Sequence, residues 1–228
     1  MTESIYKYKK HLLAVDCIIF GYENNKLKLL LSQRAFEPGK GQWSLLGGWI
    51  KENETAEKAA ERVLHQITGL KDIYLEQVQV FSDPKRDTGG RVVSIAFYAL
   101  IRIDKHDREL VNERGAKWYT FRKHPKLIFD HEEMVNIAHQ KLKNRASHEL
   151  CAQNLIPSKF TIPQLRALYE AIFQREIDPG NFRKKVLSLK VLEKLNDKNR
   201  TESKKGAFYY RLNIKRETVI KERIVRFQ

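Results

Sequence analysis

Three stretches of the chain carry side chains whose types and spacing suit chemistry. In the first, the pair Gly47-Gly48 is followed by Glu54, Glu57, Glu61 and Arg62. Hard divalent cations take oxygen ligands and can activate water, so carboxylates here raise the question whether Glu57 and Glu61 could serve a metal. In the second, Asp83, Arg86, Asp87 and Arg91 crowd one segment, with Lys40, Gln42 and Trp43 ahead of them. Arginine presents a rigid fork to phosphate and aspartate accepts from hydroxyls, so this set suits a sugar or phosphate ligand. Trp43 could stack on a sugar or base face. The plainer alternatives are a hairpin loop with surface ion pairs and a tryptophan packed in the core. In the third, Asn181, Arg183, Lys184, Lys185, Ser188 and Lys190 precede a basic segment with Arg200, Lys204 and Lys205. Arginine and lysine read guanine or grip phosphate, and asparagine pairs with adenine. Asp130-His131 has the look of a catalytic pair, yet no nucleophile lies near it in sequence; an N-cap followed by a surface histidine is the expected reading.

These residues must be positioned by regular elements. Apolar, β-rich runs cover 12–20 and 27–31, separated by turn-like residues 22–25. Glycines at 39, 41, 47 and 48 mark a loop region. Residues 55–68 predict a helix, with Ala56, Ala59, Ala60, Val63 and Ile67 on one stripe and Gly69 as its stop. Further strands are predicted at 73–81, 92–101 and 117–121, and Asp130 caps a helix over 131–143. A connector spans 144–160. Thr161 to Gln164 then has the form of a capping box, opening a helix that turns Leu165, Leu168, Tyr169, Ile172 and Phe173 inward. A Pro-Gly turn leads to a second helix over 181–195, a polar segment over 196–206 and a strand over 207–214.

The first stretch resembles the Nudix box. Gly48, Glu54, Arg62, Leu64, Gly69 and Leu70 fit its pattern without a gap, and the lead-in from Gly41 to Gly48 is similar too. In catalytic members of that family, three glutamates of the helix hold magnesium against a diphosphate. Their positions here are Val63, Gln66 and Ile67, two aliphatic residues and a neutral amide. At about 100° per residue those positions share one face, whereas Glu57 and Glu61 lie roughly 120–160° from Val63. The face that would hold metal therefore joins an apolar stripe, and no metal, cofactor or hydrolysis is expected. Glu54 and Arg62 are expected to pair, bracing the loop against the helix.

Helix, turn, helix and basic hairpin form a winged helix-turn-helix signature, in which the second helix enters the major groove while wing lysines hold phosphates. The whole chain is thus similar to the Nudix-related transcriptional regulators. Besides the box, Arg86-Asp87, Gly90-Arg91, Phe129-Asp130-His131 and Phe160-Thr161 with Leu165 and Tyr169-Glu170 carry the resemblance. It implies an α+β fold: a Nudix-like α/β/α sandwich with a mixed sheet over 1–148, and a winged helix-turn-helix over 149–228. It implies a homodimer on double-stranded operator DNA, released by a small metabolite. One branch of the family senses ADP-ribose and controls NAD metabolism; others sense sugars such as arabinose. Thr88-Gly89 departs from the Pro-Arg of the NAD branch, which directs the expectation towards a sugar or sugar derivative.

Composition agrees with a nucleic-acid partner. The net charge is +15, and residues 151–228 hold 18 Lys/Arg against 8 Asp/Glu. Two cysteines, Cys17 and Cys151, sit in no metal-ligand spacing and are read as reduced thiols. No run approaches the roughly 20 apolar residues of a membrane span, and residues 1–25 have the wrong flanks for a secretory signal. A cytoplasmic protein is expected. Two rivals stand beside the regulator: an active Nudix hydrolase of nucleoside-diphosphate-linked substrates such as ADP-ribose, and a general nucleic-acid-binding accessory protein.

Overall fold

Alternation along two long strands decides the layers of the first half. In the computed structural model, which describes residues 10–71, 73–104, 108–148, 155–200 and 206–213, β1 (Leu12–Glu23) runs parallel to β6 (Val92–Arg102). Successive side chains of a strand point to opposite faces. Val15, Cys17, Ile19, Phe97, Ala99 and Ile101 therefore form one buried face, and Ile18, Phe20, Tyr98 and Leu100 the other. Burial of both faces explains why these strands read as nearly continuous apolar runs, interrupted in their buried stretches by Asp16 and Ser94. β2 (Lys26–Gln33), β3 (Trp43–Ser44), β4 (Leu46–Trp49), β5 (Leu75–Phe81) and β7 (Ala116–Thr120) complete a seven-stranded mixed sheet.

The first face is covered by α1 (Ala56–Thr68) and α2 (Arg108–Glu113). Thr55 caps α1 by accepting from the Lys58 N–H, and Gly69 ends it in the left-handed region at φ 71°. The second face is covered by α3 (His131–His148). That helix runs on through the first residues predicted as connector, because Met134, Val135, Ala138, Leu142 and Ala146 continue one buried stripe.

In the C-terminal unit, α4 (Ile162–Phe173) opens with the capping box between Thr161 and Gln164. Asp178 caps α5 (Pro179–Ser188), followed by β9 (Leu192–Asn199) and β10 (Ala207–Leu212), which pairs with both β8 (Phe160–Thr161) and β9. The second helix thus stops at Ser188 and does not reach residue 195. Lys190 takes φ 55°, a left-handed conformation that no helix interior tolerates, and Leu192 already pairs with Leu212. Cys151, Lys204 and Lys205 lie outside the described residues. Among the described residues, no helix is long and apolar enough to cross a membrane.

One hydrophobic core joins both halves. Phe20, Leu29 and Phe121 of the sheet side, Met134 and Leu142 of α3, and Leu165, Tyr169 and Phe182 of the winged unit belong to a single buried cluster. His139 lies in it, its ring 4.3 Å from that of Phe121. Burial pushes its pKa down to about 4 against a hydrogen bond to the Ile172 carbonyl that favours the charged form. An unfolded imidazole titrates near 6.5, so the unfolded chain binds a proton that the fold refuses. Stability is therefore lost as pH falls from about 6.5 to about 4. Thermal midpoints measured across that window are expected to fall more steeply for the wild type than for His139→Gln; equal slopes would contradict this.

Candidate ligand cleft and nucleic-acid interface

The even-numbered side of β1 places one carboxylate where no loop could hold it. Asp16 is buried, on the sheet face that α3 covers. Its Oδ2 accepts from Ser94 Oγ of β6 at 2.6 Å and faces Arg86 Nη2 at 3.5 Å. Arg86 forms a fork to Asp130, from Nε to Oδ2 and from Nη2 to Oδ1, both at 2.8 Å. The Arg86 side chain is only 3% exposed, so this ion pair works largely away from solvent screening. His131, also buried, accepts the Leu45 N–H on Nδ1 at 3.1 Å and turns Nε2 towards Asp16 Oδ1 at 3.7 Å. Burial holds its pKa below the ordinary imidazole value despite the pull of Asp16 and Asp130. The neutral ring therefore carries its proton on Nε2, facing the carboxylate.

Two clefts meet at this cluster. One, of about 380 Å³, is lined by Asp16, Arg34, Gly47, Ile67, Phe129 and His131 among others. The second, of about 810 Å³, is lined by Gln42, Asp83, Lys85, Thr88, Asp130 and Glu133. Arg86 and Phe129 line both. Each volume suits a small organic ligand. Arg34 lies over the rings of Phe36, at 4.7 Å, and Phe129, at 5.2 Å, adding a flat cationic wall. Gly47 lets the cleft floor approach Asp16: an added Cβ would stand 2.6 Å from Asp16 Oδ1 and 2.9 Å from the Val15 carbonyl. Because the second of these neighbours is backbone, Gly47→Ala is expected to lower the unfolding free energy by about 1–3 kcal/mol. Urea denaturation measures it, and a variant as stable as the wild type would refute the crowding.

The structure sorts the residues singled out from sequence. Gln42, Asp83, Arg86 and Asp87 line one or both clefts. Lys40 is exposed and lines neither. Trp43 packs edge-on to Tyr119 at 5.1 Å against the core, so the packing alternative describes it. Arg91 donates to the Ser82 carbonyl at 2.8 Å, closing the 83–91 loop on itself. His131 is a correction: it is not a surface residue after a cap but a buried wall of the cleft. Asp16, Ser94 and Arg34 were missed, and Phe129 was named only for the resemblance. The one signal in sequence was an aspartate inside an apolar strand, where a charge must find partners.

At the box, Gly48 sits against Val63, whose Cγ2 an added Cβ would meet at 2.9 Å. Val63 is buried, Gln66 is exposed and Ile67 lines the smaller cleft, while Glu57 and Glu61 are exposed outside it. Glu54 and Arg62 pair as expected: Arg62 Nε donates to Glu54 Oε2 at 3.0 Å and its Nη2 reaches the Trp49 carbonyl at 2.9 Å. This bond to Arg62, helped by the Lys51 N–H, pulls the Glu54 pKa down to about 2.

On the winged unit, Phe182 and Val186 face the core, leaving Asn181, Arg183 and Lys184 of α5 exposed. Lys185 is half-buried, and Ser188 turns its hydroxyl back to the Lys185 carbonyl at 2.7 Å. Lys190 and Arg200 are exposed beyond the helix and at the end of β9. Lys194 and Lys198, not singled out from sequence, stand over the Phe208 ring at 3.6 and 4.5 Å, adding a basic aromatic face to the hairpin.

A cleft-bearing Nudix-type domain fused to a basic winged helix defines a DNA-binding transcriptional regulator with a ligand-binding module. Comparison with known proteins agrees. Residues 10–139 match the model of the NUDIX domain and residues 152–212 that of the NrtR DNA-binding winged helix domain. The ADPR responsive transcriptional repressor NtrR of Acinetobacter baylyi is 30% identical over 208 residues, 90% of this chain and 83% of that protein. Shewanella oneidensis NrtR, solved in complex with a 27mer DNA, superposes with a TM-score of 0.80 at 27% identity, covering 90% of this chain and 95% of that one. An ADP-ribose pyrophosphatase of Methanocaldococcus jannaschii is 35% identical over 135 residues, 57% of this chain and 75% of that enzyme. The chain belongs to the Nudix-related transcriptional regulators of the NrtR type.

Proposed function

We propose that the chain is a homodimeric repressor that holds operator DNA and releases it when ADP-ribose, or a closely related sugar nucleotide, enters the paired clefts. The observation that carries the ligand is the junction at Arg86. A buried arginine held by two carboxylates stands between two cavities, which suits an elongated ligand bearing phosphates and hydroxyls. The relatives favour this sugar-nucleotide reading over a free sugar such as arabinose: a repressor and an enzyme with full-length or Nudix-region similarity both carry ADP-ribose in their names. Release follows if ligand shifts the two winged helices of a dimer out of register with successive major grooves.

Hydrolysis is no part of this reading. Val63 packs beneath Gly48, Ile67 lines the cleft with carbon and Gln66 is an exposed neutral amide, so the three positions that would present carboxylates to a metal offer none. A thermal-shift series with ADP-ribose, arabinose and sugar phosphates tests the ligand, since whatever binds the folded state raises its midpoint. ADP-ribose is expected to stabilise and arabinose not; the reverse would overturn the assignment. Magnesium-dependent product release from ADP-ribose, abolished by Glu57→Gln or Glu61→Gln, would establish the hydrolase instead.

A further inference from the structure

α3 touches both working parts of the molecule. Asp130, immediately before its first residue, grips Arg86 at the junction of the clefts, and His131 forms part of the cleft wall. About 12 Å further along the helix axis, His139 Nε2 lies 2.7 Å from the Ile172 carbonyl of α4. The imidazole is neutral at ordinary pH, so Nε2–H donates this bond.

Ile172 stands in the last turn of α4, where carbonyls have no partner within their own helix. Gln174, in the left-handed conformation at φ 55°, serves the Ala171 carbonyl with its side-chain amide. The Ile172 carbonyl is served from outside the winged unit, by α3. The chain then turns into α5, and that turn is tied to α4 as well. Glu170 Oε1 accepts the Ile177 N–H at 3.0 Å, and Arg166 Nη1 donates to the Ile177 carbonyl at 3.0 Å. Where α4 ends thus decides where α5 begins.

Around this bond the packing of α3 and α4 is apolar, with Val135, Ala138 and Leu142 sharing one core with Leu168 and Ile172. Apolar burial is non-directional, and helices packed this way shift past one another by small shear movements. A buried hydrogen bond does not: losing the donor leaves a desolvated carbonyl unmade.

We propose that α3 couples the ligand cleft to the DNA-reading helix, and that His139 is the positioning residue that makes α4 follow it; this rests on the ADP-ribose reading above. A ligand drawing on Arg86, Asp130 or His131 moves the start of α3, and the bond at Ile172 carries that movement to the end of α4.

The test uses full-length wild type, His139→Leu and His139→Gln, with a duplex from the promoter region upstream of the protein's own coding sequence. The DNA dissociation constant is measured with and without saturating ADP-ribose, beside the ADP-ribose affinity of each protein. For the wild type, ADP-ribose is expected to weaken DNA binding by a factor in the range of about 5 to 150. For His139→Leu that factor is expected to fall by about threefold or more, while each ligand alone binds nearly as before. His139→Gln, which retains an N–H donor, keeps most of the wild-type factor. If His139→Leu does not fold, His139→Asn, whose amide is too short to reach Ile172, replaces it. A wild-type factor in the leucine or asparagine variant overturns the proposal, as does its loss in the glutamine variant. A wild type indifferent to ADP-ribose overturns the proposed function and this coupling together.

Discussion

Replacing Arg86 by alanine is expected to lower the unfolding free energy by about 3–5 kcal/mol and to abolish stabilisation by ADP-ribose. Removing one partner of a buried ion pair leaves the other charge without compensation, which outweighs the attraction that the pair itself contributes. Here two carboxylates lose their partner at once. Asp130 gives up both bonds of the fork, and Asp16 is left with Ser94 and the more distant His131. Neither carboxylate escapes to water easily, with side chains 17% and 11% exposed. Arg86→Lys is expected to lose less stability but still weaken the ligand, because one ammonium cannot match a fork. Urea denaturation with an unchanged m-value measures the first effect, and the thermal shift with ADP-ribose the second. A loss below about 1 kcal/mol would mean that the pair behaves as a surface salt bridge.

The double substitution Arg183→Ala, Lys184→Ala is expected to weaken operator binding by about tenfold or more. It should also flatten the salt dependence, reducing the slope of log K against log salt by about 0.9 for each phosphate no longer gripped. Both side chains are exposed on α5, whose buried positions are Phe182 and Val186. Removing them should change stability by no more than about 0.5 kcal/mol, so weaker binding cannot be ascribed to a damaged fold. If only one of the two grips phosphate and the other reads a base edge, the slope falls by about 0.9 and discrimination between operator and random duplex falls with it. An unchanged affinity and slope would remove α5 from the interface and leave the hairpin lysines, Lys194 and Lys198, to carry it.

What was legible in the sequence was what depends on near neighbours. α1 follows from its apolar stripe, its threonine cap and its glycine stop, all within one short segment. The capping box of α4 and the aspartate cap of α5 are equally local. The apolar face of the box helix is read from helical spacing alone, and Val63 and Ile67 lie where that spacing puts them. Where the reading overran, at residues 189–195, an apolar spacing compatible with a helix lost to cross-strand pairing with residues some twenty positions away.

The cleft was not legible in the same way, because its parts come from distant segments. Asp16 and Ser94 meet Arg86 because β1 and β6 pair in parallel, and Asp130 joins them because α3 packs across that sheet face. No spacing along the chain encodes those meetings. By itself the sequence determined the two units, the apolar box face and the basic α5, since each rests on periodicity, capping or charge within a short stretch. Only the tertiary structure decided that His131 lines the cleft, that Trp43 belongs to the core, and that His139 ties the two units together. Burial and hydrogen-bond partners are set by which elements pack against each other, and one core shared by both halves sets them here.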